Sequence, residues 1–221
     1  MDIEREAWQV YVTLVAGGVA VVPTNAGYGL LAMGPQGVRR IYEMKGRPKT
    51  KPCVLVTTWR IFDEVAAPID PDVREWIVDT LRWTPLAVVT RLNPGSRMLS
   101  CLDPFVRVQG TRDETLATFH EAGPLVTRVA EIACEEGRLV FGSSGNRSGA
   151  GNAYTLEEVP SRFEADAIID RGPIAIPGGA RLATTILDLP NGRFLREGLH
   201  FERIRDSWAA RFGLQDSLAA G

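Results

Sequence analysis

The sequence predicts one α/β domain, with helices packed on a sheet, from three observations. Short apolar runs alternate with helical spacings along the chain, which is typical of strands interleaved with helices. The 221 residues suffice for one sizeable core, and 45% of them are hydrophobic. No stretch rich in Ser, Gly or Pro divides the chain as a linker would. In such sheets, ligands usually lie where strand ends meet loops.

The elements of the first half follow from apolar spacing and from start and stop signals. Apolar residues at helical spacing begin at Ile3, and Gly17 supplies a stop. Pro35 suits the first turn of a second helix, and Asp70 with Pro71 predicts the start of another. The predicted order is helix 3–15, strand 19–24, helix 35–44, strand 53–58, helix 61–65, helix 70–83 and strand 86–90.

The second half continues the alternation. The spacing of Thr155 and Glu158 is that of a capping box, which predicts the start of a short helix there. The other predicted elements are strand 105–109, helices 113–120 and 125–136, strand 138–142, strands 167–170, 184–189 and 194–197, and a polar, amphipathic C-terminal helix near 206–212. The predicted domain therefore covers residues 1–205, followed by a helix and tail at 206–221.

Charge and composition exclude several classes of protein. The formal charge is −2, from 25 basic and 27 acidic residues, so any basic site must be local. The N-terminus is acidic, and the apolar stretch 10–22 is broken by Gly17 and Gly18; this predicts a cytoplasmic protein, neither exported nor membrane-spanning. The three cysteines and two histidines lack metal-ligand spacing, which predicts reduced thiols and no metal site bound by side chains.

The octapeptide KGRPKTKP, residues 45–52, is the first candidate for chemistry. It carries Lys45, Arg47, Lys49 and Lys51 without an acid. Such a cluster neutralises phosphate oxygens, and Arg adds a bidentate fork to the point charge of Lys. The alternative is a solvated basic loop. Neither a P-loop nor a Rossmann glycine pattern is present in the sequence, so a phosphate site would not be of those kinds.

Three further segments indicate ligand contact, each with a plain structural alternative. Gly27 and Gly29 in VVPTNAGYGL permit a sharp turn or close ligand approach, or form a strand-to-helix turn. The loop SSGNRSG at 143–149 is suited to cradling a phosphate or carboxylate, or is a mobile surface loop. Polar residues at 184–185 and Arg196 lie on or beside late strands, where edge-strand polarity is the competing interpretation.

Taken together in this order, these segments resemble the Sua5/YciO/YrdC/YwlC family of threonylcarbamoyl-AMP synthases. Six patterns over roughly residues 5–200 are matched, and order with spacing makes the resemblance more specific than any one of them. The matches are PT-x-x-x-YGL at 23–30, K-x-R-P-x-x-K-P at 45–52, a strand ending in a single Arg at Val106-Arg107-Val108, TSAN-x-SG at 143–149, ST-x-x-D at 184–188 and LR-x-G at 195–198.

The resemblance implies a twisted, largely mixed sheet around a basic cavity that binds ATP, L-threonine and bicarbonate with Mg²⁺. The implied activity is nucleotidyl transfer that gives threonylcarbamoyl-AMP and pyrophosphate for tRNA modification, with tRNA or tRNA-modification proteins as further partners. A carbamate attacking an α-phosphate needs aligned reactants and neutralised charge more than a nucleophilic side chain. Cations and N–H donors would therefore do most of the catalysis.

The same resemblance assigns the site residues by position. Lys45 and Arg47 are the implied catalytic residues. The residues implied to contact the nucleotide are Lys45, Arg47, Lys51, Ser144, Asn146, Ser148 and Arg196. Those implied to contact the amino acid or its carboxylate are Thr24, Tyr28, Arg107, Ser143 and Thr184.

The chain also departs from the family pattern. Ala87 stands where the family commonly has Thr, so a methyl group replaces a hydroxyl expected near the substrate. Gly145 replaces Ala, Asn25 stands where an acid is frequent, and the segment 111–122 is longer. These differences favour either a close variant of the reaction with a different amine, or a non-catalytic RNA- or nucleotide-binding module with the same cavity.

Overall fold

The computed structural model describes residues 2–160, 164–175 and 181–213. Within these ranges the α-helices are α1 (Ile3–Val15), α2 (Gly34–Lys45), α3 (Trp59–Val65), α4 (Pro71–Leu81), α5 (Arg97–Ser100), α6 (Pro104–Gly110), α7 (Pro124–Glu135) and α8 (Phe201–Phe212). The strands are β1 (Val19–Thr24), β2 (Gly27–Ala32), β3 (Val54–Val56), β4 (Leu86–Arg91), β5 (Thr111–Arg112), β6 (Thr115–His120), β7 (Phe141–Ser144), β8 (Ala167–Ile168), β9 (Ile186–Asp188) and β10 (Arg193–Arg196).

All these strands join one mixed sheet, which confirms the predicted α/β fold. Its order is β10-β9-β4-β6-β3-β7-β2-β1-β8, with β5 paired to β6. The β1–β8, β3–β6 and β4–β9 pairs are parallel, and the others are antiparallel. Two of the predicted ligand contacts lie at strand ends of this sheet. The loop 143–149 starts at the end of β7, and Arg196 is the last residue of β10.

Two hydrophobic clusters hold the helices on the sheet. The larger one joins α1, α2 and α7 to β1, β2, β3 and β7. The smaller one joins α3, α4 and α8 to β4 and β9, with Trp76 and Trp208 packed edge to face at 4.9 Å. Helix α8 begins at Phe201, five residues before the predicted start, and Ile204 on it is fully buried. The predicted tail beyond residue 213 lies outside the described residues.

Two of the predicted start signals are confirmed. Asp70 caps α4 by accepting from the Asp72 amide at 2.7 Å, as predicted from the Asp-Pro pair. The capping box of Thr155 and Glu158 is present and begins a 3₁₀ turn, Leu156–Glu158. No helix in the described ranges is both long and apolar enough to cross a bilayer.

The predicted strand 105–109 is wrong, because these residues lie in α6. Asp103 caps this helix by accepting from the Phe105 amide at 2.8 Å, and Pro104 occupies the first turn. The same Asp-Pro signal was interpreted correctly at residue 70. The β-branched Val106 and Val108 favoured a strand here, but β propensity depends strongly on context.

The predicted helix 113–120 is also wrong, because Thr115–His120 forms β6, an interior strand of the sheet. Asp113 and Glu114 have positive φ and make the turn between β5 and β6. His120 is buried as a satisfied histidine, 3.2 Å from the Thr118 hydroxyl. Burial, followed by the charge of Arg74, lowers the pKa of His120 to about 3, so the ring is neutral.

The segment around Gly27 is a hairpin, not a strand-to-helix turn. Strands β1 and β2 pair antiparallel, and Thr24 lies opposite Gly27 across the turn. Gly27 has a φ of +102°, and a Cβ there would lie 2.6 Å from the Ala153 carbonyl oxygen. Both the turn and the close approach of another backbone therefore require glycine.

Candidate functional site

A cavity of about 160 Å³ opens over one face of the sheet. It gathers residues from distant parts of the chain, because the strands that carry them are neighbours in the sheet. Of the twelve predicted site residues, seven line it: Thr24, Tyr28, Arg47, Ser143, Ser144, Thr184 and Arg196. The structure therefore brings together most of the positions that the family patterns identify.

Arg47 is fixed in the cavity wall by the loop that follows α2. Its Nε and Nη2 donate to the carbonyls of Lys51 and Pro52 at 3.0 and 2.7 Å, and its Nη1 donates to the Ser143 hydroxyl at 3.2 Å. The guanidinium is held against the end of β7 by hydrogen bonds to its own loop, so it is oriented before any ligand binds.

Arg196 provides a second guanidinium in the same cavity. Its Nε donates to the Thr184 carbonyl at 2.7 Å, which fixes the side chain beside β9. As a whole residue Arg196 is solvent-exposed, but its guanidinium lies among protein atoms. This partial burial, followed by the charge of Arg47, lowers its pKa. No acidic residue is found among the described lining residues. The positive charges of Arg47 and Arg196 are therefore not neutralised by a carboxylate of the lining, which favours an anionic ligand.

Lys45 lies at the last turn of α2, behind the cavity wall, with only 4% of its surface exposed. Its ammonium donates to the carbonyls of Ser144 and Asn146 and lies 3.5 Å from the Ser144 hydroxyl. Burial, followed by the charge of Arg47, lowers the pKa of Lys45 to about 7. It contacts Ser144, a lining residue, without lining the cavity itself.

The loop after β7 is tied to Lys45 and is compact. The Ser148 amide donates to the Lys45 carbonyl at 3.3 Å. Asn146 is buried, and its Nδ2 donates to the carbonyls of Arg147 and Ala150. Its Oδ1 is buried without a partner in the described part of the chain. Ser148 and Asn146 lie beside the lining residues, whereas the Lys51 side chain is exposed and only its carbonyl faces Arg47 and Tyr42.

Two of the predicted substrate contacts use their hydroxyls structurally. Thr24 donates to the Gly27 carbonyl at 2.5 Å and accepts from the Ala26 amide at 3.0 Å, which closes the hairpin turn. The Tyr28 hydroxyl lies 2.8 Å from Asp170 and 2.9 Å from the Gly172 carbonyl. Both residues shape the cavity, but their hydroxyl groups already have partners.

Arg107 does not reach this cavity. It lies on α6, where it is exposed and donates to the Leu99 carbonyl at 3.1 Å. It lines a different cavity of about 850 Å³ together with Arg91, Arg112 and Arg193. The match of Val106-Arg107-Val108 to a family strand fails because these residues are helical.

Sequence reasoning missed the apolar side of the cavity. Its main contributors are Val54, Val56, Ala117, Phe119, Val126 and Ile186, and Ala87 lies among them. On β6, Leu116, Thr118 and His120 are buried, while Ala117 and Phe119 are only partly covered because they face the cavity. The sequence carries no matching alternation of apolar and polar residues, because the buried positions include the polar Thr118 and His120.

Fold and cavity together define an α/β protein whose cavity combines two arginines with an apolar part. Residues 12–198 match the Sua5/YciO/YrdC family model, which is described as "Telomere recombination". Because the match spans most of the chain, this protein belongs to that family. No curated protein matches the chain.

Solved structures share the fold at low identity. A hypothetical protein, smu.1377c from Streptococcus mutans, has a TM-score of 0.75 at 18% identity, covering 93% of this chain and 91% of that one. For E. coli YciO the TM-score is 0.68 at 20% identity, with 89% and 90% covered. P. abyssi Sua5 complexed with L-threonine gives 0.72 at 24% identity, covering 91% of this chain but 57% of Sua5. This chain thus spans little more than half the length of that relative.

Proposed function

We propose that this protein is a nucleotidyltransferase that condenses ATP, bicarbonate and an amine into a carbamoyl-AMP, either threonylcarbamoyl-AMP for tRNA modification or a close variant with another amine. One observation carries the proposal. Arg47 and Arg196, from opposite parts of the chain, line one cavity in which no described lining residue is acidic. The family membership and the L-threonine in the P. abyssi Sua5 structure support the same reaction class.

The chemistry needs positioned charge more than a nucleophile from the protein. The amine and bicarbonate form a carbamate and release water. A carbamate oxygen then attacks the α-phosphorus of ATP, the bond to the β-phosphate breaks, and pyrophosphate leaves. Arg47 and Arg196 would neutralise the phosphate oxygens during this displacement. Ser143 and Ser144, at the end of β7, would donate hydrogen bonds to the same oxygens.

Magnesium enters this reaction as part of the Mg²⁺–ATP substrate. The described lining offers hydroxyl and carbonyl oxygens but no carboxylate, and Mg²⁺ at such a site is held mainly by phosphate oxygens and water. The ion would reduce the charge of the triphosphate. Lys45, through Ser144, would keep the loop at 143–149 in place beside it.

The first prediction tests this function. With ATP, bicarbonate and an amine panel, the wild-type protein should release pyrophosphate and form a carbamoyl-AMP detectable by mass spectrometry. Arg196→Gln should lower kcat/KM for ATP by about a hundredfold, because a buried charge-assisted contact to phosphate contributes roughly 2 to 3 kcal/mol. Arg138→Gln removes an exposed arginine that does not line the cavity and should leave the rate unchanged.

The outcomes separate the two hypotheses. Amine-dependent pyrophosphate release that is lost in Arg196→Gln supports the enzyme. ATP or RNA binding without release by any amine contradicts it and supports the non-catalytic binding module. An equal loss of pyrophosphate release in Arg196→Gln and Arg138→Gln would show that the rate depends on the overall charge of the protein and not on this cavity.

A further inference from the structure

The 850 Å³ cavity that Arg107 lines, called here the second cavity, lies on the same face of the sheet as the cavity of the proposed reaction, the first cavity. On β4, Ala87 lines the first cavity and Val89 the second. On β9, Ile186 lines the first and Asp188 the second. Alternate residues of a strand point to the same face of its sheet, so the two cavities are neighbouring regions of one surface.

Three arginines converge at one end of the second cavity. Arg91 on β4 pairs with Thr115 on β6, and Thr115 pairs with Arg112 on β5. Paired residues of neighbouring strands point to the same face, so both arginines border the cavity with Thr115 between them. Arg107 on α6 lines it as well, and all three arginines are exposed.

Two of these guanidinium groups are already oriented by the protein. Nη1 of Arg112 donates to the Thr50 carbonyl at 2.7 Å, and Nη1 of Arg107 donates to the Leu99 carbonyl at 3.1 Å. A guanidinium has five N–H donors. Each of these groups is therefore held by one bond and can still offer a pair of donors to a phosphate.

Acidic side chains offset only part of the positive charge. The described lining contains four arginines and three acidic residues. Asp113 and Glu114 form the turn between β5 and β6, and Asp113 lies 3.7 Å from Arg112. Over the ranges that the structure describes, neither Arg91 nor Arg107 has a carboxylate oxygen within 4.0 Å of its nitrogens. This end of the cavity is therefore suited to an anion.

The other end of the second cavity carries a buried carboxylate. Asp188 pairs with Val89 on β4 and with Arg193 on β10, and only 5% of its surface is exposed. Its Oδ2 accepts from Asn191 Nδ2 at 2.8 Å and from Arg193 Nε at 3.3 Å. Its Oδ1 has no partner in the described part of the chain. Because a buried acceptor without a donor is unfavourable, this oxygen is suited to a hydroxyl group of a ligand.

We propose that the second cavity binds a small phosphorylated polyol, such as a sugar phosphate, at a site separate from that for ATP. The phosphate lies between Arg91, Arg107 and Arg112, and a hydroxyl group donates to Oδ1 of Asp188. Arg91 is two residues beyond Val89, the partner of Asp188, so the two ends of the site are about 7 Å apart along the strand. A pentose phosphate spans this distance, whereas inorganic phosphate reaches only one end.

A compact ligand suits this cavity better than a strand of RNA. Three carboxylates border it, those of Asp113, Glu114 and Asp188. A nucleic acid backbone carries a charge at every nucleotide, so its successive phosphates would lie against these carboxylates. A single phosphate at the arginine end avoids them. The site takes no part in the carbamoyl-AMP reaction, so this proposal and the proposed function can fail separately.

Calorimetry with ribose 5-phosphate tests the site, with inorganic phosphate and ribose as matched parts of the ligand. The wild type should bind ribose 5-phosphate about tenfold more tightly than inorganic phosphate, because Asp188 adds a hydrogen bond to a charged group. Asp188→Asn should remove this advantage. Arg91→Gln should weaken ribose 5-phosphate binding by about tenfold or more. Arg138→Gln and Arg196→Gln, which change residues outside the second cavity, should leave it unchanged.

Three results would overturn the proposal. The first is that the wild type does not bind ribose 5-phosphate. The second is that binding is lost in Arg196→Gln and kept in Arg91→Gln, because the ligand then occupies the first cavity. The third is that an RNA oligonucleotide binds through Arg91 while ribose 5-phosphate does not, which would identify a nucleic-acid surface.

A second arginine variant and a second ligand complete the test. Arg107→Gln, on a different element from Arg91, should also weaken ribose 5-phosphate binding, and circular dichroism shows that each variant folds. Uridine 5′-monophosphate carries the same ribose phosphate. If it depends on Arg91 and binds more tightly than ribose 5-phosphate, the site is one for a nucleotide; if it binds less tightly, the site is one for a free sugar phosphate. Both results support the proposed chemistry.

Discussion

Lys45 is the residue whose environment most changes its chemistry. It was predicted as a phosphate contact from its place in KGRPKTKP, and that role remains a proposal. What the linear pattern could not indicate is burial: the ammonium lies beneath the loop 143–149 and donates to its carbonyls. This placement depends on β7 ending beside α2, a tertiary contact that spacing along the chain does not encode.

Because of Lys45, the free energy of unfolding should increase as the pH rises above 7. Its pKa is about 7 in the fold against 10.5 in the unfolded chain. Between these values the unfolded state binds more protons, so the free energy of unfolding should rise with pH by up to about 1.4 kcal/mol per pH unit. Urea unfolding at pH 7, 8 and 9 measures this slope.

Lys45→Met is the control for that slope, because it keeps the length of the side chain and removes its titration. The variant should be less stable by about 1 to 3 kcal/mol, since two buried carbonyls lose their donor, and its unfolding free energy should be flatter over the same pH range. An unchanged slope in Lys45→Met would assign the pH dependence to other groups.

At the level of elements, the sequence predicted most helices and strands but misassigned two neighbouring ones. Start signals that act within a few residues, such as Asp70-Pro71, gave correct helix starts. The prediction for β6 was wrong because the interior position of this strand is decided by pairing with β4 and β3. Such long-range partners override local propensity. This error hid Phe119, and with it the apolar half of the candidate site.

Just after β10, the backbone at Gly198 packs closely against the backbone of the segment before β9. A Cβ at this position would clash with the Ala183 carbonyl oxygen and would lie 2.6 Å from the Thr184 carbonyl carbon. Gly198→Ala should therefore destabilise the protein by about 2 kcal/mol or more, measured by urea unfolding. ATP binding should weaken as well, because the Thr184 carbonyl that orients Arg196 must move.

Gly151→Ala is the matched control, since a Cβ there meets no heavy atom within 4 Å and its φ is not left-handed. Its stability should remain within about 0.5 kcal/mol of the wild type. If Gly198→Ala behaved in the same way, the close approach of the two backbones would not be required.

For the whole molecule, the fold class and the convergence of distant segments were predictable because several family patterns occur in order along the chain, whereas the one at 106–108 was a false match. The C-terminal helix was predicted to begin near residue 206, as a polar, amphipathic helix after the main domain. Instead α8 packs into the smaller core through Ile204 and Trp208. Trp208 packs against Trp76 on α4 and against Phe212 of its own helix; the contact with Trp76 joins distant parts of the chain, so local spacing could not identify it.

Trp208→Ala should therefore destabilise the whole domain by about 3 to 5 kcal/mol, the range for truncating a buried aromatic residue. Trp8→Ala is the control, because Trp8 is 44% exposed, and it should cost about 1 kcal/mol or less. Thermal and urea unfolding of both variants measure the difference. A Trp208→Ala variant as stable as Trp8→Ala would mean that α8 is dispensable.

Arg47 and Arg196 line the same cavity although they are far apart in the sequence, and this has a consequence for the folding of the chain during its synthesis. The first guanidinium leaves the ribosome long before the second, and β10 must add to the sheet edge before both face the same space. Under the proposed function, a nascent chain would gain nucleotide affinity only after β10 has been synthesised and has joined the sheet. ATP retention by stalled, truncated translation products would report the moment at which the last strand joins.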